Sequence, residues 1–172
     1  MGICPTLVRA QNKTSACILD SAKDSQTITV RGKAIQQPHD LAFGIDDCDA
    51  TAVLTYAGDA DSNVSADLLH NDRDLKRFRK FTSAVYSSTK KAICIQCGQY
   101  GDVEATLTGK LQIATVPDGT TKDSMGFLHD ASGKVVGTSG FGHPNRVFKY
   151  RLVIFSASDV RARKLSKPNL PK

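Results

Sequence analysis

The chain has 172 residues, 40% of them apolar and 23% charged, the make-up of one globular domain with a core of its own. No apolar run reaches the length of a membrane span. With no Trp and only 6% aromatic residues, the chain is poor in the flat side chains on which single-stranded nucleic acids stack. The net charge of +6 is unevenly laid out: between Asp20 and Asp67 nine Asp stand against three basic residues (Lys23, Arg31, Lys33), a balance of −6. The basic excess lies from Arg73 onward and in the tail Arg161-Ala-Arg-Lys-Leu-Ser-Lys, so no continuous cationic groove follows from the pI.

In chain order, residues 1–14 read as a disordered lead-in or the remnant of a leader, and Ser15 to Ala22 as a short helical turn with Cys17 and Leu19 facing inward. Thr27–Ile35 is a strand by the alternation of Ile28, Val30 and Ile35. Pro38-His39-Asp40 is a turn, Leu41–Ile45 a second strand, Asp46-Asp47-Cys48-Asp49 a turn and Thr51–Tyr56 a third strand. A polar loop covers 57–71. Asn71 or Asp72 then caps a helix to about Tyr86, with Leu75, Phe78, Phe81, Thr82 and Val85 on one face and Lys76, Arg77, Arg79 and Lys80 on the other. Those four charges read first as a solvated face, and second as a patch for an acidic partner. Val103–Ile113 is the longest strand, 117–145 an extended loop, Val147–Phe155 the last strand and 164–172 a flexible basic tail.

Thr29-Val-Arg-Gly32-Lys and Thr106-Leu-Thr-Gly109-Lys repeat one pattern. A glycine inside a strand marks a bulge, a strong coil or a close backbone approach. Three strands, a helix and two strands, with bending glycines in the first and fourth, predict a mainly β fold: a five-stranded OB-like Greek-key barrel with one helix between strands 3 and 4. A generic α+β sheet is the alternative. The domain is expected over 15–163.

Five cysteines (Cys4, Cys17, Cys48, Cys94, Cys97) point to an oxidising compartment, one or two disulfides and a spare thiol. Cys94-Ile-Gln-Cys97 is followed by Gly98 and a strand, not by the helix that would lower a redox thiol's pKa. One close pair is also half of a zinc site. A structural disulfide from one of this pair to Cys17 or Cys48 is favoured over zinc, and zinc over redox catalysis. Asp46, Asp47 and Asp49, with Asp59 and Asp61 downstream, suit a solvated turn better than a calcium loop, since they lack the spacing and closing Glu of an EF-hand. His39, His70, His129 and His143 show no metal-pair spacing. His143, between glycines and a proline, is suited to holding the loop's backbone, and His143 with Asn145 marks a possible ligand loop. Leu7-Val-Arg-Ala-Gln-Asn12 resembles the end of a secretory leader, but Ile3 to Val8 is shorter than an h-region and no basic n-region precedes it; a truncated start would reconcile this with the cysteines.

Cys17-Ile-Leu, Thr27-Ile-Thr-Val-Arg-Gly-Lys-Ala-Ile and the Asp47-Cys48 turn form a set with Ala105-Thr-Leu-Thr-Gly-Lys-Leu, Gly140-Phe-Gly-His-Pro-Asn, Tyr150-Arg-Leu-Val-Ile and Ser156-Ala-Ser-Asp-Val. As a set, over about residues 16–163, they resemble a group of small uncharacterised bacterial proteins, most of them expected to be exported. The resemblance implies an OB-like barrel, export, and a cysteine at the positions of Cys17 and Cys48; it carries over no activity. The expected function is that of a non-enzymatic exported binding or structural protein, periplasmic or secreted, with no cofactor or metal. The alternatives are an oligonucleotide- or oligosaccharide-binding module and a thiol-disulfide protein using Cys94 and Cys97. Nucleic acid is disfavoured: the second and third strands, which such a barrel would use, offer only Phe43 and Tyr56 and lie in the acidic half.

Overall fold

The structure is a computed structural model that describes residues 16–36, 40–59, 72–90, 103–143 and 146–162. A 3-10 turn, Ile18–Asp20, places Leu19 in the core. Strands β1 (Thr27–Gln36), β2 (Leu41–Ile45) and β3 (Thr51–Tyr56) form an antiparallel meander. Helix α1 (Asp72–Lys90) and β4 (Val103–Ile113) follow. Then come three short strands, β5 (Thr121–Lys122), β6 (Phe127–His129) and β7 (Val135–Thr138), and the long β8 (Tyr150–Ala162). The barrel closes in the order β1-β2-β3-β8-β4, with β4 antiparallel to β1 and to β8 and with β3 parallel to β8. This is the OB-like barrel expected from the order of strands and helix.

Alternation puts one face of each strand inside. Ile28, Val30 and Ala34 of β1, Val103, Ala105, Leu107 and Leu111 of β4, and Leu152, Ile154 and Ala157 of β8 meet Phe43, Ile45, Ala52 and Leu54. Phe81 and Val85 of α1 enter the same cluster, while Lys76, Arg77, Arg79 and Lys80 stay exposed. The helix is fastened at its Phe78, which meets the Tyr56 ring edge-on at 5.1 Å.

The two Thr-apolar-x-Gly-Lys segments are neighbours: β1 and β4 run antiparallel with Thr29 opposite Thr108, their hydroxyls 2.9 Å apart. Each glycine fills the role its strand position predicts. A methyl at Gly32 would collide with the Gly44 carbonyl and lie 2.9 Å from Phe43 Cε1, and one at Gly109 would lie 2.6 Å from the Val153 carbonyl oxygen. Gly109 also sits at a register shift between β4 and β8. The second shift in that pair lies where Asp159 takes a left-handed φ of 51° and its carboxylate accepts a hydrogen bond from the Thr106 hydroxyl at 3.1 Å.

Besides small shifts at the first turn and at the end of β1, three stretches differ from the sequence expectation. The helix runs to Lys90 rather than Tyr86. The last strand is Tyr150–Ala162 rather than 147–155: its polar second half pairs with β4 as far as Val103↔Ala162, and backbone pairing there outweighs weak hydrophobic patterning. The expected extended loop of 117–145 contains β5, β6 and β7, a three-stranded sheet of its own. Its strands are two to four residues long and bury only Leu128, so turn-forming Asp and Gly dominate the local pattern.

Substituting Gly109→Ala is expected to destabilise the fold by about 1–3 kcal/mol, because the new methyl meets backbone rather than a yielding side chain. Gly44→Ala, with nothing within 4 Å of the added carbon, is expected to stay within about 0.5 kcal/mol of wild type. Urea denaturation of the three proteins measures both, and equal losses would remove the steric account of Gly109.

Candidate ligand cleft

A disulfide fixes one end of the barrel. Cys17 and Cys48 are bonded to each other, Cα atoms 4.8 Å apart and 31 positions apart in sequence, tying the 3-10 turn to the β2–β3 turn. This corrects the expected pairing of Cys17 or Cys48 with Cys94 or Cys97. The two cysteines are far apart in sequence, but β2 returns the chain beside the start of the fold, a proximity that spacing does not reveal. Cys94 and Cys97 lie outside the described residues, as do His39, His70, Asn145 and Asp61. Asp46–Asp49 forms the expected turn: Asp47 takes φ 62°, the Cys48 N–H donates to the Ile45 carbonyl, and Asp46 lies 3.7 Å from Arg31 Nε.

The connection from β4 to β8 folds back over the outer surface of β2 and β3. Phe141 and Phe148 exchange two backbone hydrogen bonds of 2.8 Å. Their rings cover Ala42 and Val53, the outward-facing apolar residues of those strands. Gly142, with φ +90°, turns the chain so that the backbone N–H of His143 donates to Asp40 Oδ2 at 3.1 Å. The His143 carbonyl in turn accepts the Arg146 N–H at 2.8 Å. The backbone of His143 thus helps to hold the turn.

Under this turn lies a cleft of about 270 Å³, lined by Asp40, Leu41, Thr55, Asp59, Gly142 and Arg151 together with Val53 and Leu54. Arg151 lies on the Phe141 ring, 4.4 Å from its centre, and its Nε donates to Gln112 Oε1. Asp59 Oδ2 accepts from the Thr55 hydroxyl at 3.1 Å and from the Tyr56 N–H at 2.9 Å. These contacts hold both carboxylates and the guanidinium in place around the cleft. Asp40 and Arg151 are the lining residues that sequence reading missed, and Asp59 was weighed there only as an oxygen ligand for calcium. The only signal was the alternation of Tyr150-Arg-Leu-Val-Ile, which turns Arg151 outward while Leu152 and Ile154 face in.

The aromatics that would serve a nucleic-acid strand are engaged elsewhere: Phe43 is fully buried in the core and Tyr56 packs on Phe78. In the small sheet, His129 Nε2 lies 3.0 Å from Asp123 Oδ2 and its Nδ1 faces the Gly133 carbonyl at 3.1 Å. A carbonyl only accepts, so Nδ1 carries a proton, and the carboxylate favours a second proton on Nε2. His129 is thus a staple, with both nitrogens committed. Its pKa is raised above the ordinary 6.5 by the Asp123 carboxylate first and the Gly133 carbonyl second. Asp123 is lowered from the ordinary 3.8 by His129, and Asp130 by the Ser132 hydroxyl.

Comparison of the chain with family models, curated proteins and solved structures found no match. No helix among the described residues is long and apolar enough to cross a membrane.

Reducing the disulfide, or changing Cys48→Ser, is expected to cost about 3–4 kcal/mol from the loop it closes. Peptide mapping before and after reduction identifies the bridge, and recovery of Cys17 joined to Cys97 would overturn the pairing. The staple has its own pH signature. His129 stabilises fully below 6.5 and loses this contribution as pH rises through its raised pKa, whereas Asp123 contributes above 3.8 and loses it as pH falls. The small sheet is therefore tightest between these limits. An NMR titration should place the His129 midpoint above 6.5 and return it toward 6.5 in Asp123→Asn.

Proposed function

We propose that this protein is a non-enzymatic binding barrel of an oxidising compartment, periplasmic or extracellular, which holds a small, uncharged, hydroxyl-rich ligand such as a sugar ring in the cleft beneath the Phe141–His143 turn. The observation that carries this reading is the composition of the cleft: Asp40, Asp59, Thr55 and Arg151 around one hollow whose neighbouring apolar surface is already covered by Phe141 and Phe148. Two carboxylates accept hydroxyl protons and a guanidinium donates to hydroxyl oxygens, so adjacent hydroxyls on one ring meet acceptors and donors together. At about 270 Å³ the space lies below the range of drug-sized pockets and suits a single ring.

The two carboxylates repel phosphates, and the engaged positions of Phe43 and Tyr56 leave little for bases to stack on; both weigh against an oligonucleotide. The Cys17–Cys48 bond supports an oxidising location.

The test is calorimetric titration with a panel of neutral mono- and oligosaccharides, beside a single-stranded oligonucleotide at low salt. At least one saccharide should bind, and Arg151→Met should weaken it about tenfold, the worth of one charge-assisted hydrogen bond. Absence of saccharide binding, or oligonucleotide binding that ignores Arg151, would overturn the proposal.

A further inference from the structure

The barrel is electrically two-ended. The 3-10 turn and the β2–β3 turn, joined by the disulfide, carry Asp20, Asp46, Asp47 and Asp49, all exposed. The β2–β3 turn, with the 3-10 turn tied to it, lies just before the first residue of β3, whereas α1 packs chiefly against β8 and touches β3 at Tyr56, the last residue of that strand. Six residues of strand separate these points by roughly 17 Å, about two screening lengths at physiological salt. The acidic turns and the cationic helix therefore do not neutralise one another within one molecule.

Each end also has a shape. At the acidic end a hollow of about 620 Å³ is rimmed by Asp20, Asp47 and Asp49, with Leu19, Ala50 and Tyr150 among its walls. On the helix, Lys76, Arg79, Lys80, Ser83 and Tyr86 are exposed and fall on one side at helical spacing. Tyr86 is 63% exposed, an aromatic anchor among cations. Tyr and Arg are the residues that most often dominate interfaces.

We propose that the protein docks on copies of itself head to tail, the outer face of α1 of one copy seated on the disulfide end of the next, with the Tyr86 ring entering the acid-rimmed hollow. The charges are complementary, and each copy carries one of each surface. The contact is heterologous, so it leaves a free helix at one end and a free hollow at the other. Such a contact builds open chains rather than closed dimers. Burying carboxylates against Lys and Arg steers the encounter and makes it sensitive to salt. The proposal is independent of the cleft and its ligand.

Sedimentation of the full chain over a range of concentrations tests it. At low salt the average mass should rise with concentration, and at high salt it should return to that of the monomer. Tyr86→Ser should weaken association about tenfold. Lys76→Glu, Arg79→Glu and Lys80→Glu together make the outer face of α1 acidic, as the disulfide end already is, and Asp20→Lys, Asp46→Lys and Asp49→Lys together make the disulfide end basic, as the helix face already is. Each should be monomeric alone, and a one-to-one mixture should associate again, an outcome that a folding defect cannot produce. A wild-type protein that stays monomeric at low salt would overturn the proposal. So would association that survives high salt, such as pairing through Val135 and Val136 of the exposed β7, or a mixture that fails to associate.

Discussion

The barrel closes because two pairs of backbones are allowed to touch. Five strands around so small a circumference must tilt and coil strongly, and at two places the coil brings one strand's main chain against its neighbour's. Gly32 faces the Gly44 carbonyl and Gly109 the Val153 carbonyl, with no room for even a methyl group. Both glycines stand at inward-facing positions of strands that otherwise carry Ile, Val and Leu to the core. The stability lost by leaving out a side chain there is offset by the apolar layer that forms once the strands can meet.

With the barrel closed, the connection from β4 to β8 has an outer wall on which to lie. Phe141 and Phe148 fill the apolar part of that wall, and what remains uncovered is polar. The cleft is thus a by-product of how the connection is laid down. Its floor comes from β2 and β3, its roof from the Gly142 turn, and Asp40 joins the two through the His143 N–H. The Asp123–His129 staple holds the small sheet in the same connection.

The barrel strands were legible because burial on one face leaves a period of two that can be read from residues such as Ile28, Val30, Leu152 and Ile154. The helix was legible for the same reason at its own period. The cleft was not, because Asp40 and His143 meet across 103 positions and no local pattern encodes that meeting. The partner of Cys17 was likewise hidden: four candidate cysteines allow several pairings, and only the return path of β2 selects Cys48. The strands β5–β7 escaped notice because a strand of two residues, or one that exposes both its valines, carries no alternation to detect.

The parallel seam between β3 and β8, in which Ala52 meets Tyr150, sets an order of events during synthesis. A chain emerging from its N-terminus has Cys17, Cys48 and the whole first meander in hand long before β8 exists. The sulfur bond can therefore form on an open three-stranded ribbon whose edges still await partners. The cylinder is sealed only when the final strand arrives between β3 and β4, so a nascent chain stopped short of residue 150 would hold a stapled but unclosed sheet, a form suited to capture by a folding helper or by a protease.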